Sequence, residues 1–225
     1  MAALKPATVH FDHAIVGGTT TIRLHFEDLA GPAGPRRSVF WRVADAALDA
    51  PPVVDSFVAP HVFYAAQHGQ DVRVRAPMSR GGLYNMQALQ AFRHRLEPRW
   101  FLRVVGVEPD AVVDAARPAG DPGLAVAALS GGLDSVFTAL RQGRRLPGDA
   151  AHRVTTLVLG RGLEPFEDGG GAFERLLLRL RPLVEASGLP LAVVETDSHM
   201  VGGRAWPATA IPMTAAALAM FSARH

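Results

Sequence analysis

The residues best equipped for chemistry are Ser130-Gly131-Gly132-Leu133-Asp134-Ser135, set between an apolar run and a helical pattern. A helix N-terminus presents backbone N–H groups without intrahelical acceptors, together with the positive end of the helix dipole. Such a position favours an anion, and phosphate in particular. Gly131 and Gly132 let the backbone turn tightly and approach that anion closely, which a side chain would prevent. The hydroxyls of Ser130 and Ser135 add donors. Asp134 would repel a bare phosphate. It fits if a magnesium ion bridges its carboxylate to the phosphates, or if it caps the helix. The bland alternative is an ordinary glycine-rich turn between strand and helix.

Three commoner motifs are excluded. A Walker loop needs a lysine before its Ser/Thr, and the one lysine of the chain is Lys5. A nucleophile elbow would need glycine where Ala128 stands. No G-x-G-x-x-G follows a strand pattern.

Other candidates lie nearby. Arg161 follows an apolar strand pattern and could contact phosphate or substrate; a solvated loop arginine is the bland reading. Glu164, Glu167 and Asp168 precede a triple glycine and could bind metal, though a solvated loop explains them as well. The glycines suggest a segment able to close over a ligand. Asp197 ends a third apolar run, and in parallel sheets ligands lie beyond the carboxyl ends of the strands. Its alternative role is a helix cap. Arg204 and Trp206 follow it and could line the same pocket. A metal cluster of His10, Asp12, His13 and His25 is disfavoured, since alternation puts His13 on the other face from His10 and Asp12. The arginines at 36–37 and 144–145, and Arg93, Arg95, Arg99 and Arg103, read as solvated surface.

These residues need elements to hold them. Alternating patterns predict strands within 8–28, at Ser38–Val43 and at Asp71–Ala76, the last with its arginines facing water. Helices are predicted over Val58–His68 and Leu83–Leu96, and a further strand over Trp100–Val107. This makes an N-terminal α+β unit, residues 1–107. Residues 108–123, rich in Pro, Gly and acidic side chains, read as a linker. From 124 to 225 the pattern alternates: strands at Leu124–Leu129, Val154–Leu159 and Leu191–Val194, helices at Asp134–Gln142 and Ala172–Ala186. Pro182 is expected to kink or shorten the second of these helices. Apolar strands separated by helices imply a parallel sheet covered by helices. Ala208–Phe221 reads as a buried helix, too short to span a bilayer.

The 225 residues suffice for one sizeable core, or one domain with a smaller companion. The net charge of +2 gives a weak field despite a pI near 9.6, because the basic residues are almost all arginine. Nucleic-acid binding is therefore not implied by charge. The chain has no cysteine, which removes disulfides, thiolate zinc sites and a Cys nucleophile. The first residues carry no long apolar run, so a secretory signal is not expected, and the predicted compartment is the cytoplasm.

The hexapeptide in its strand–loop–helix setting resembles the pyrophosphate loop, S-G-G-x-D-S, of the N-type ATP pyrophosphatases, also called the adenine nucleotide α-hydrolase-like superfamily. Asparagine, GMP and NAD synthetases are similar in carrying this loop. The likeness covers residues 124–200, roughly a third of the chain. It implies a parallel-sheet, three-layer, Rossmann-like nucleotide-binding fold, here preceded by the smaller α+β unit. It implies ATP and magnesium as ligands, with Ser130 to Ser135 holding the pyrophosphate and Asp134 near the metal. The strand end Leu157–Gly160, with Leu159 and Gly160 foremost, would lie beside the adenine. Asp134 and Ser135 are the implied catalytic pair. Such enzymes join a substrate oxygen to the α-phosphorus, release pyrophosphate, and let a nitrogen or sulfur donor displace AMP. The expected function is therefore adenylation of a small-molecule carbonyl or carboxylate oxygen for amidation or a related ligation. The alternatives are an ATP- or AMP-binding module without turnover, or a tRNA-modifying member. The lack of cysteine departs from members that hold a structural zinc on cysteines. Three strands of this half are evident, fewer than such sheets usually have. Completion is expected from the N-terminal strands, from further chain, or from a partner or second copy.

Overall fold

The computed structural model describes residues 4–31, 38–114, 124–144, 153–163, 171–199 and 206–221, with the side chains of 143, 144 and 206–210 left out. Eight strands form one sheet: β1 (Ala7–Val16), β2 (Thr19–Glu27), β3 (Ser38–Val43), β4 (Val72–Ser79), β5 (Val107–Val113), β6 (Leu124–Ala128), β7 (Arg153–Arg161) and β8 (Leu191–Thr196). Five helices accompany them: α1 (Asp55–Gln67), α2 (Arg80–Leu96), α3 (Leu133–Arg144), α4 (Ala172–Ser187) and α5 (Trp206–Ala219). The fold class is α/β.

The strand order is β5-β4-β1-β2-β3-β8-β7-β6. β1, β2 and β3 form an antiparallel meander, while β4 and β5 add parallel to β1 on its far side. β6, β7 and β8 are parallel to one another, as their apolar runs predicted. The two halves meet where β3 pairs antiparallel with β8, Trp41 opposite Thr196 and Arg42 opposite Glu195. The N-terminal strands thus extend the sheet on the β8 side.

One helical layer lies on each face of the β6–β8 region. Leu157 and Leu159 of β7 point into a cluster with Ala139 of α3 and Leu180 of α4. Val158, between them, points the other way, into the main core with Val194 of β8 and Ala216 and Ala217 of α5. That alternation is the period of a strand covered on both faces. The main core continues under β1–β4, where α1 contributes Phe57, Val58, Val62 and Phe63. α1 is apolar on nearly all sides, the pattern of a helix packed within a core.

Four local expectations change. Trp100–Val107 is not a strand: His94 Nδ1 bonds the Phe101 carbonyl at 2.7 Å, and Gln90 binds both backbone groups of Val105. Those bonds take the groups a ladder would use, while Phe101 and Val105 bury as plugs. Pairing with β4 begins at Val107 instead, so the first part of the expected 108–123 linker is an edge strand, held by Arg73–Glu108 and Arg75–Asp110 ion pairs. Residues 115–123 lie outside the described residues. α2 starts at Arg80, three residues earlier than predicted, because Ser79 Oγ accepts from Gly82 N–H at 2.8 Å and caps it. α4 runs through Pro182 to Ser187. The carbonyl that loses its helical donor there belongs to Leu178, a residue that is 68% exposed. Among the described residues no helix is long and apolar enough to cross a membrane.

Candidate functional site

β6 ends at Ala128, and the next residue anchors the loop: Leu129 N–H donates to the Val158 carbonyl of β7 at 2.8 Å. The loop then turns on two hydroxyls. Ser130 N–H donates to Ser135 Oγ at 3.2 Å, Gly132 N–H to Ser130 Oγ at 3.3 Å, and Ser135 Oγ–H to the Gly132 carbonyl at 2.9 Å. The two hydroxyl oxygens lie 3.2 Å apart. Gly131 takes φ +81°, a left-handed conformation that side chains rarely adopt. A Cβ there would also lie 3.4 Å from Leu176 and Leu180 of α4. Val136 N–H to Gly132 O, at 3.0 Å, begins the α3 ladder.

Leu133 is 84% exposed, and Asp134 is exposed beside it. The Asp134 carboxylate has no hydrogen bond or ion pair among the described residues. It does not cap α3, so of its two predicted roles the capping one is not realised. A single unpaired carboxylate beside first-turn amides suits magnesium, which keeps most of its waters and takes the remaining ligands from phosphate. No group of three His, Asp or Glu that could hold a metal occurs among the described residues, the His10, Asp12, His13 and His25 set included.

Next to the loop is a cavity of about 860 Å³. It opens at the carboxyl ends of β6, β7 and β8, where an α/β sheet places its ligands. Ser130, Leu159, Gly160 and Arg161 all line it. Gly131, Gly132, Leu133, Asp134 and Ser135 lie outside its lining. Phe173 and Leu176 of α4 close one side, and Thr214, Ala217 and Leu218 of α5 another. Apolar surface with a few convergent polar groups is the usual composition of a small-molecule site.

Arg161 is not a solvated loop residue. It ends β7, lies 3.2 Å from Glu174 and 3.7 Å from Glu195, and stacks over the Phe173 ring at 5.2 Å. Glu195 also takes Arg42 Nε at 3.0 Å, so a chain of alternating charges crosses the mouth. Asp197 is not in the lining. Its Oδ1 accepts from Phe40 N–H at 2.9 Å and ties the end of β8 to β3. Glu164, Glu167, Asp168 and Arg204 lie outside the described residues, as does the Trp206 side chain.

Sequence patterns missed Phe40 and Arg42 of β3, and also Glu195, Thr196 and His199. The last three share the segment of Asp197, to which the strand-end signal pointed. The β3 residues carry no local signal, because their position depends on pairing with a strand 150 residues away. No family model matches the chain, and neither a curated protein nor a solved structure matches it.

Proposed function

We propose that this protein is an ATP pyrophosphatase-type enzyme. It binds magnesium-ATP and joins a carbonyl or carboxylate oxygen of a small molecule to the α-phosphorus. Pyrophosphate leaves, and amidation or a related ligation follows in the cytoplasm. One observation carries this: S-G-G-L-D-S stands at the end of a parallel strand, its first residue lining a cavity also walled by Leu159, Gly160 and Arg161.

The roles follow from position. The Gly131 and Gly132 backbone and the Ser130 and Ser135 hydroxyls would hold pyrophosphate, with the positive end of α3 behind them. The end of β7 offers Leu159 and Gly160 to the base. Arg161 would offset charge on the phosphates, at the expense of its pairing with Glu174. Magnesium, held by Asp134, would neutralise the leaving pyrophosphate. The absence of lysine from the loop suits pyrophosphate release better than γ-phosphoryl transfer, in which Walker loops use one.

Gly132 gives the cleanest test. A Cβ there would meet only Ser130 Oγ, at an ordinary 3.4 Å, so a side chain is tolerated by the fold yet intrudes on an anion. Gly132→Val should keep the wild-type melting temperature and abolish magnesium-ATP binding in calorimetric titration, and retained binding would overturn the loop assignment. With an acid acceptor, AMP and pyrophosphate should accumulate; ADP and phosphate would refute α-phosphate chemistry.

A further inference from the structure

We propose that His199 is the proton acceptor for an amine or ammonia nucleophile that displaces AMP in this cavity. It rests on the adenylating activity proposed above. His199 follows β8 and lines the same cavity as Ser130. Its Nδ1 lies 2.7 Å from the Gly162 carbonyl oxygen. A carbonyl can only accept, so Nδ1 carries the hydrogen and the neutral ring keeps its lone pair on Nε2. Nε2 has no partner among the described residues and is not among the buried polar atoms that lack one.

The carbonyl that sets this tautomer is itself fixed. Gly162 has φ +80°, and a Cβ there would lie 2.0 Å from the Thr196 carbonyl oxygen, so the ends of β7 and β8 pack backbone to backbone. The latch therefore joins the two strand ends that form the cavity floor. This is the arrangement of a base oriented by a second group.

The other ionisable groups of the lining are committed. Glu195 is held by Arg42 and faces Arg161, and both of those are cations. Ser130, Thr196 and Thr214 offer only hydroxyls, which are poor bases. His199 is thus the one uncommitted base in the described lining, and it accepts rather than donates. A ligand group facing it must bring an N–H or O–H.

The step balances. The nitrogen lone pair forms the new C–N bond at the adenylated carbon. The bond from that carbon to the phosphate oxygen breaks, and its electron pair leaves with AMP. The proton shed by the nitrogen passes to His199 Nε2. A neutral amide forms, and the imidazolium returns its proton to water.

The test compares wild type with His199→Ala, supplied with ATP, magnesium, a mixture of small carboxylic acids and ammonium. Two rates are measured: exchange of labelled pyrophosphate into ATP, and amide formation. The ratio of amide formed to pyrophosphate exchanged should fall on the order of 100-fold in His199→Ala. Added imidazole should restore part of it. An unchanged ratio, or no rescue, overturns the proton role. Nitrogen-15 spectra of the wild-type imidazoles give a readout without turnover: His199 should carry its hydrogen on Nδ1, and an Nε2–H tautomer overturns the proposal. Absence of pyrophosphate exchange in wild type removes the adenylating activity, and this proposal with it, whereas the tautomer result tells the two failures apart.

Discussion

His61 makes the stability of this protein sensitive to mild acid. It lies in α1 with its ring 4.7 Å from Phe26 and 5.9 Å from Trp41, centroid to centroid. Only 1% of its surface is exposed, and neither ring nitrogen has a hydrogen-bond partner among the described residues. Burial penalises the charged form and pushes its pKa from the ordinary 6.5 down to about 3. The sign follows directly. Above the unfolded pKa neither state holds the proton, and folding is unopposed. Below it the unfolded chain takes the proton while the folded protein stays neutral until about pH 3, so stability falls as pH falls through that window. The slope is about 1.4 kcal/mol per pH unit once the unfolded state is protonated, which makes the loss between pH 7 and pH 5 about 2 kcal/mol. For a chain of this size that is a fall of about 4 to 8 °C in melting temperature. Urea unfolding followed by tryptophan fluorescence at the two pH values measures it. His61→Phe keeps an aromatic ring between Phe26 and Trp41 and removes both orphan nitrogens. It should be at least as stable as wild type at pH 7 and lack the 2 kcal/mol component at pH 5. Carboxylates and exposed histidines contribute equally to both proteins and cancel. Equal losses in the two proteins would refute a buried neutral imidazole at this position.

Two further outcomes test the frame of the site. Gly162→Ala places a methyl group 2.0 Å from the Thr196 carbonyl oxygen at φ +80°; it should cost about 2 to 5 kcal/mol in urea unfolding, and a cost below about 1 kcal/mol would show that the strand ends are not packed this closely. Asp197→Ala leaves the Phe40 N–H without its acceptor; it should cost about 1 to 3 kcal/mol while magnesium-ATP affinity stays within about twofold, and a large loss of affinity at full stability would restore Asp197 as a ligand contact.

What could be read from the sequence was what is local in it. The loop is six consecutive residues, and the runs before and after it state their periods without help from the rest of the chain. The parallel β6–β8 unit was legible for the same reason, since both sheet faces are covered and the strands are apolar throughout. β5 was misplaced because Trp100–Val107 and Val107–Val113 are both apolar enough to be strands. The choice was made by Gln90 and His94, side chains of α2 that bind the backbone of the first segment. Pro182 does not shorten α4, which runs on to Ser187. His61 was legible in principle: a histidine in Val58-Ala59-Pro60-His61-Val62-Phe63 has only apolar neighbours.

The pairing of β3 with β8 was not legible, and it decides most about the site. Without that pairing α1 and α5 would still pack the two halves together, but β3 would not reach the cavity. With it, Phe40 and Arg42 become one wall of the cavity, and the main core runs unbroken from β1 to α5. Two contacts hold the seam at the mouth: the Phe40 N–H to Asp197 and the Arg42–Glu195 pair. They differ in kind. The first satisfies a backbone donor that the ladder leaves over, so its loss registers as stability. The second is half-exposed, with side-chain exposures of 49% and 33%, and pairs of that sort contribute about 0 to 1 kcal/mol to folding. Arg42 is therefore poorly explained as a structural residue. It holds Glu195 within the chain of charges that runs from Arg42 to Arg161 along the cavity lining. Loss of Arg42 would leave the Glu195 carboxylate to Arg161, whose guanidinium lies 3.7 Å from it. The N-terminal half thus sets part of the charge of the cavity through Arg42.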